Sequence, residues 1–250
     1  MSFNKRVIGR GTALVSALLL SAISFSQSSY ASDTPSSHDT HEPHSATIFK
    51  SPTHRAKPLA VAVAPTSGCV KTNSTPHKPI KVGYPDREDA MVDRVFTLNT
   101  NCGLIVFKAF GKKAVSTVIA MSFLAKSGYF DHSLCHRITT AGIFVLQCGD
   151  PTASGSGGPP FTYPDENLPG DAPNNYPAGT IAMANSGPST NGSQFFIVYK
   201  DTYLPPSYTI WGVVTQGLDI VKRVAASGVL GGGNDGTPKM TIAIESVSVN

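Results

Sequence analysis

Short apolar runs separated by polar turns dominate the chain from about residue 93 onward. The segments RVFTLNTN and LIVFKAF predict two strands, and the Cys102–Gly103 junction between them predicts a hairpin. Similar runs predict further strands in GIFVLQCG, GTIAMANS, SQFFIVYK, YTIWGVVT and KMTIAIESVSV. This part of the chain is therefore expected to be mainly β.

Two segments instead carry apolar residues at the spacing of a helix. One is VSTVIAMSFLAKSGYF, in which Gly128 predicts the stop, and the other is GLDIVKRVAAS. Several strands accompanied by two short helices predict a sheet that closes into a barrel and is capped by the helices.

Phe195 and Phe196 are adjacent in one predicted strand. Neighbouring side chains of a strand point to opposite faces, so only one of these two rings can enter the interior. The other ring must be covered by a different part of the chain, or it must face a partner. The pair therefore marks a strand whose two faces are both apolar.

The first 31 residues have the pattern of a secretory signal. Lys5, Arg6 and Arg10 precede an apolar run of about 15 residues, and small residues at Ser29 and Ala31 predict cleavage before Ser32. An uncleaved membrane anchor is the competing interpretation, but spanning a bilayer takes roughly 20 residues. We expect a secreted or extracytoplasmic protein with no stable membrane insertion after cleavage.

Residues 32–83 are rich in Ser, Pro and His and show no apolar periodicity, which predicts a disordered tether. A His-rich tract can bind metal, but a polar spacer is the simpler interpretation, and no metal site is expected. The folded domain is expected to occupy residues 84–250.

The net charge and the cysteine spacing argue against a nucleic-acid-binding protein and against a zinc site. The chain of 250 residues carries a net charge of +4, of which three charges lie in the signal segment, so a nucleic-acid partner is not expected. The four cysteines fit no common zinc spacing, and one or two disulfides are expected. Three full pairings are open; we favour one bond from Cys102 to Cys135 or Cys148 over a bridge to Cys69.

Four segments occur in an order that resembles the cyclophilin family of peptidyl-prolyl cis–trans isomerases. They are CHRITTAGIFVLQCGD, GSGGPPFTYPDENL, GTIAMANSGPSTNGSQFFI and LPPSYTIWGVV. The likeness covers roughly residues 93–250 and is similar in detail to exported cyclophilins of actinobacterial type. It implies a closed eight-stranded antiparallel barrel with a helix over each end.

The resemblance also implies roles for particular residues. Arg137 matches the catalytic arginine, and Gln147 matches the glutamine that orients it. Phe196 matches the ring of the proline pocket, and Phe195 its buried neighbour. Substrate-binding positions implied in this way are Phe144, Val145, Gly155, Met183, Ala184, Asn185, Gln194, Phe196, Tyr203, Leu204 and Tyr208.

Rotation about a prolyl bond breaks no covalent bond, so no nucleophile, metal or cofactor is expected. The reaction needs a donor such as Arg137 and a pocket for the ring. The expected partners are proline-containing polypeptides that are unfolded or still folding, bound by a monomer. The alternative is a non-enzymatic chaperone or scaffold that holds proline-containing segments.

Other interpretations of these residues are structural. Arg137 could serve as an ion-pair partner, His136 is expected to be a hydrogen-bonding residue, and Asp165 and Glu166 are expected to be turn and charge residues. Tyr203 stands where many family members carry tryptophan, whose indole N–H contacts cyclosporin, so weak or no cyclosporin binding is expected.

Overall fold

The computed structural model describes residues 68–85 and 91–250. The strands and helices, in chain order, are β1 (Arg94–Thr100), β2 (Gly103–Ala109), α1 (Val115–Lys126), β3 (Ser133–Leu134), β4 (Arg137–Thr139), β5 (Val145–Cys148), β6 (Thr180–Met183), β7 (Phe195–Val198), β8 (Ile210–Gln216), α2 (Leu218–Ala226), β9 (Asp235–Gly236) and β10 (Ala243–Val249). The hairpin, both helices and the longer strands lie where the sequence pattern predicts them.

The strands form one ten-stranded antiparallel sheet in the order β3-β10-β1-β2-β8-β6-β7-β5-β4-β9. The expectation of a closed eight-stranded barrel is therefore wrong, because no ladder joins the two ends of this order within the described residues. The segment 133–139 supplies the reason. Its first part pairs with β10 and its second part pairs with β5, so the ladder divides at Cys135 and His136.

Strands β5, β7 and β6 are adjacent in the sheet, and their side chains alternate between two apolar clusters. Phe195 and Ile197 belong to the main core, which also holds Trp211. Phe196 and Val198 belong to a smaller cluster on the opposite face. The adjacent phenylalanines are thus explained, because each side of β7 has its own apolar cover.

The main core is centred on stacked and perpendicular aromatic rings. Phe96 and Phe107 stack with their centroids 5.0 Å apart, and Trp211 meets both rings edge-on. These three residues come from β1, β2 and β8, which are neighbours in the sheet. Helix α2 packs its buried residues Ile220, Val221 and Val224 into the same core.

The N-terminus of α1 has no capping side chain of its own, since Ala114 occupies that position. Glu166 supplies the missing acceptor: its carboxylate accepts the backbone N–H groups of Ser116 at 2.9 Å and Thr117 at 3.0 Å. A carboxylate at a helix N-terminus satisfies open donors and complements the helix dipole. Asp165 accepts the backbone N–H of Ser189, so both acids have the structural roles that were expected.

Residues 68–85 form a strap along the sheet, which corrects the predicted tether boundary at residue 83. The backbone N–H of Val70 donates to Asn101 at 2.9 Å, and that of His77 donates to Pro151 at 2.9 Å. Thr72 and Ser74 both donate their hydroxyls to the carboxylate of Glu245. Hydrogen bonds from the side chains and the backbone hold this segment in place, although its sequence shows no apolar periodicity. The remainder of the predicted tether, residues 32–67, and the signal segment lie outside the described residues.

Two disulfides, Cys69–Cys102 and Cys135–Cys148, use all four cysteines. The preference for pairing Cys102 within the barrel is therefore wrong. The strap holds Cys69 beside the hairpin through the hydrogen bond from Val70 to Asn101, so this cysteine loses little further entropy when it pairs with Cys102. Neither α1 nor α2, the helices found among residues 68–85 and 91–250, has the length and apolar character of a membrane span.

Candidate functional site

A groove with a cavity of about 200 Å³ opens on the outer face of β5 and β7. Its apolar wall is formed by side chains from these two strands and from the loop after β7, and its polar end by Arg137 and Gln147. The lining residues are Arg137, Ile143, Val145, Gln147, Ala184, Asn185, Phe196, Leu204 and Tyr208. Strand alternation places Val145 and Gln147 on one face of β5, and Ile143, which precedes the strand, lines the groove beside them.

Tyr176 fixes the aromatic wall of the groove from behind. Its hydroxyl donates to the carbonyl of Tyr208 at 3.1 Å and accepts the backbone N–H of Tyr208 at 3.1 Å. Burial raises the pKa of Tyr176 to about 12, so the phenol stays neutral and can serve both partners. The ring of Tyr208 consequently lies edge-on to Phe196 with the centroids 5.6 Å apart.

Arg137 lies at the rim of the groove with three of its N–H groups engaged. Nε donates to Oδ1 of Asp235 at 2.7 Å, and Nη2 donates to Oδ2 at 2.8 Å. Nη1 donates to Oε1 of Gln147 at 3.1 Å. The hydrogen bond to Asp235 raises the pKa of Arg137, and the same bond lowers the pKa of the Asp235 carboxyl.

A line of side-chain amides extends the arginine network away from the groove. Gln147 donates to Oε1 of Gln194 at 2.9 Å, and Gln194 donates to the carbonyl of Gly157 at 2.9 Å. Because each amide oxygen and nitrogen in this line has a partner, the rotamer of Gln147 is fixed. Gln147 can therefore present its oxygen to Arg137, the orienting role that the resemblance implies.

Gly155 and Gln194 line a second cavity of about 190 Å³ that shares Gln147, Ala184 and Asn185 with the groove. Its loop is organised around Asp150, whose carboxylate accepts the backbone N–H groups of Gly155 at 2.8 Å and Gly157 at 3.0 Å. A Cβ at Gly157 would lie 2.1 Å from Oδ1 of Asp150, so only glycine fits there.

Two further predicted positions, Ala184 and Asn185, form the lower edge of the groove. The backbone N–H of Ala184 donates to the carbonyl of Gln194 at 2.9 Å. The side chain of Asn185 donates to the carbonyl of Ser207 at 2.8 Å, which ties this edge to the loop that carries Leu204 and Tyr208. The edge and the opposite wall are thus held at a fixed separation.

Phe144 and Met183 do not reach the groove. Phe144, just before β5, packs against the main core, where its ring meets Tyr199 edge-on at 5.9 Å, and Ile143 lines the groove instead. Met183 is fully buried in the main core. Tyr203 also lies outside the lining residues: it is 51% exposed, and its hydroxyl donates to Asp171 at 2.9 Å.

His136, beside Arg137, does not have the hydrogen-bonding role expected from the sequence. Neither ring nitrogen has a partner among the described residues, and both are shielded from solvent. Burial lowers the pKa of this imidazole, which favours its neutral form. Its ring is a packing element under the Asp150 loop.

Sequence reasoning missed Ile143, Tyr176 and Asp235. Ile143 could have been found from the sequence, because alternation back from Gln147 and Val145 in the predicted strand puts residue 143 on the same face. Tyr176 lies in the long Gly/Pro-rich segment, and Asp235 lies in GGGNDGTP, which shows only turn character. No group of three or more His, Cys, Asp or Glu side chains that could hold a metal ion occurs among residues 68–85 and 91–250.

Comparison with known proteins points to one family. Residues 95–249 match the family model described as cyclophilin type peptidyl-prolyl cis-trans isomerase/CLD. A "Probable peptidyl-prolyl cis-trans isomerase B" of Mycobacterium leprae is 40% identical over 187 residues, covering 70% of this chain and 62% of the relative. Its counterpart in Mycobacterium tuberculosis is 40% identical over 184 residues. The chain thus spans less than two thirds of these relatives, at 62% and 59% of their lengths.

Solved structures that are similar to this chain come from the same family. A crystal structure of a Cryptosporidium parvum cyclophilin type peptidyl-prolyl cis-trans isomerase is similar at a TM-score of 0.54 and 26% identity, covering 64% of this chain and 98% of that one. A second structure of that protein, determined in the presence of the dipeptide Ala-Pro, is similar at a TM-score of 0.53 and 26% identity, covering 62% of this chain and 98% of that one.

Proposed function

The chain belongs to the cyclophilin-type peptidyl-prolyl cis–trans isomerase family, and we propose that it catalyses rotation about Xaa-Pro bonds in polypeptides. One observation carries the proposal: a guanidinium with free N–H groups, on Arg137, lies at the end of an apolar groove of about 200 Å³. The groove is of a size to hold a small ring, and a guanidinium at its end can donate to the bond that must rotate.

The barrier that the enzyme lowers is the delocalisation of the nitrogen lone pair into the carbonyl, about 18–20 kcal/mol. A donor directed at the prolyl nitrogen stabilises the twisted bond, because there the lone pair is localised on nitrogen. Arg137 is permanently charged and keeps its donors in a rigid fork. Its action needs no proton transfer and no covalent intermediate.

The apolar wall supplies the second requirement, which is to hold the proline ring while the preceding carbonyl swings. Phe196, Val145 and Leu204 provide flat and branched apolar surface on neighbouring sides of the cavity. Positioning a reacting group in this way is a large part of what an enzyme can contribute. The related Cryptosporidium protein was crystallised in the presence of Ala-Pro, which supports a substrate of the Xaa-Pro class.

The lower edge of the groove is proposed to hold the peptide that flanks the proline. Ala184 and Asn185 form this edge, and the cavity beyond it, lined by Gly155 and Gln194, can receive a neighbouring residue. The proposed partners are proline-containing polypeptides that are still folding, bound by a monomer. Neither a cofactor nor a nucleic acid has a role in this mechanism.

We further propose that the protein works outside the cytoplasm. The first 31 residues have the pattern of a cleaved secretory signal, and both disulfides of the domain suit an oxidising compartment. Fractionation of the source cells with N-terminal sequencing tests this: we expect the protein outside the membrane, beginning at Ser32. A cytoplasmic protein that retains Met1 contradicts it.

The activity is tested by exchange NMR on an Ala-Pro peptide, without a coupling protease. We expect the protein to accelerate cis–trans exchange, which takes tens to hundreds of seconds without catalysis. Changes in the chemical shifts of the protein when the peptide is added report binding in the same sample. Binding without faster exchange would overturn the isomerase and leave the non-enzymatic chaperone or scaffold in its place.

A further inference from the structure

Asp235 approaches the groove from a distant part of the sequence, 98 residues after Arg137. It begins the two-residue strand β9, which pairs with β4, the strand that carries Arg137. Thr139 faces Asp235 in this register, so the carboxylate reaches back along β4 towards the guanidinium. The sheet itself therefore sets the distance between the two charged groups.

The contacts of Arg137 determine which donors remain for a substrate. A guanidinium carries five N–H bonds in one plane. Asp235 occupies the edge formed by Nε and Nη2, and Gln147 accepts one N–H of Nη1. One N–H on Nη1 and one on Nη2 have no hydrogen-bond partner among residues 68–85 and 91–250. Without Asp235 the long side chain of Arg137 would rotate about its own bonds, held only by Gln147.

We propose that Asp235 is a positioning residue for catalysis, which holds the guanidinium of Arg137 in the plane that presents its two remaining N–H groups to the prolyl nitrogen. This inference rests on the proposed isomerase function. Asp235 is not among the residues that line the groove. Its effect is exerted through Arg137 alone.

An ordinary surface ion pair would behave differently. Asp235 is 55% exposed and Arg137 is 37% exposed, and exposed pairs contribute only about 0–1 kcal/mol to stability. The bidentate geometry is what distinguishes this pair, because two parallel bonds fix a plane whereas one bond fixes only a distance. A positioning role therefore predicts an effect on turnover that exceeds any effect on stability.

The chain offers a matched control on α2. Asp219 forms an ion pair with Arg223 across one helical turn, and neither residue lines the groove. Asp219→Asn removes the same carboxylate charge from an Asp–Arg pair elsewhere on the surface. It reports what the loss of one negative charge does to activity without any change at Arg137.

The kinetic test compares Asp235→Ala, Asp235→Asn, Asp235→Glu and Asp219→Asn with the parent on an Ala-Pro peptide. For Asp235→Ala we expect kcat to fall about tenfold with KM within about twofold, less than the roughly 10²-fold cost of a fully misplaced group, because Gln147 still holds Nη1 of Arg137. Asp235→Asn should lie between alanine and the parent, since an amide supplies only one acceptor oxygen. Asp235→Glu should recover part of the loss, and Asp219→Asn should match the parent. A kcat for Asp235→Ala within twofold of the parent overturns the inference.

A second measurement reads the orientation directly and does not depend on catalysis. In ¹⁵N-labelled protein the Nε–H resonance of Arg137 should be displaced and slow to exchange with water. Asp235→Ala should return it to the position of a free arginine, and Asp219→Asn should leave it unchanged. An unchanged resonance in Asp235→Ala contradicts the positioning role. A parent that does not accelerate exchange refutes the proposed function instead, and this spectrum still decides whether Asp235 orients the guanidinium.

Discussion

The inner and outer faces of β5, β6 and β7 carry similar apolar residues but differ in what covers them. On the inner face, Phe195 meets Trp211 and Phe130, and the cover is a continuous aromatic core. On the outer face, Phe196 is covered by the rings of Tyr176 and Tyr208, and a cavity of about 200 Å³ remains beside it. One face is filled, and the other is left partly open.

Exposure alone does not distinguish these faces, because Phe195 is 2% exposed and Phe196 is 5% exposed. The difference lies in the origin of the cover. Strands and helices fill the inner side, whereas a loop after β7 and the Tyr176 segment roof the outer side. The gap beside Phe196 leaves space for the proposed substrate without any movement of its cover, whereas the filled core around Phe195 leaves none.

Alanine substitutions at the two adjacent phenylalanines give the sharpest test of this difference. Phe195→Ala should reduce the free energy of unfolding by about 3–5 kcal/mol, because it leaves a cavity in a filled core. Phe196→Ala should cost less stability, since its site already borders a void, but should lower kcat/KM by at least about tenfold. Urea unfolding and exchange kinetics measure the two effects. Equal losses of stability with equal activities would remove the distinction between the faces.

The two disulfides allow a second comparison, because one lies beside the groove and the other joins the strap to the hairpin. Replacing both cysteines of either bond with alanine should cost about 2–4 kcal/mol of unfolding free energy. Only the Cys135–Cys148 pair should also lower kcat, because those cysteines adjoin the strand pairing of Arg137 with Gln147. Loss of Cys69–Cys102 frees the strap from the hairpin and should leave kcat unchanged. A larger kcat loss from the strap pair contradicts this assignment.

Arg137→Ala should affect the outer face without disturbing the inner one. We expect kcat/KM to fall about 10²-fold, the scale of removing one preorganised donor, with the unfolding free energy within about 1 kcal/mol of the parent. Arg223→Ala is the control, since Arg223 also pairs with an aspartate but lies on α2. Full activity in a folded Arg137→Ala protein is incompatible with the proposed mechanism.

The smallest expected effect concerns Tyr203, at the margin of the outer face. We expect weak cyclosporin binding by the parent and a gain of about threefold to tenfold in Tyr203→Trp, the worth of one added hydrogen bond. The loss of the hydroxyl contact with Asp171 frees the side chain to turn towards the groove. Calorimetry checks both values, and tight binding that is identical in parent and variant refutes the prediction.

The longer elements were predictable because their periodicity reflects burial on one or two faces. The strands β3, β4 and β9 have two or three residues each, too few to show any period, and so the way the sheet ends was not predictable. The partner of Cys69 was hidden for a related reason: the strap is held by polar groups such as Thr72 and Glu245 rather than by an apolar pattern.

The site residues differ in how far the sequence predicts their positions. The resemblance implies Phe144 as a groove residue, whereas alternation back from Val145 predicts Ile143, and Ile143 is the one that lines the groove in the structure. Met183 follows the same rule, since Ala182 and Ala184 occupy the outer positions. Asp235 is different, because an aspartate between Asn and Gly is typical of a turn, and only the register of β9 against β4 brings it to Arg137.

The brevity of β3 and β9 also has a consequence for how copies of the protein meet one another. Unpaired backbone groups along an exposed edge strand are a template for another chain, and long flat edges invite aggregation. Here each end of the sheet offers only two residues, Ser133–Leu134 and Asp235–Gly236. The second end also carries a charged carboxylate. Unfolded chains near either end of the sheet therefore meet very little edge on which to grow a mixed sheet.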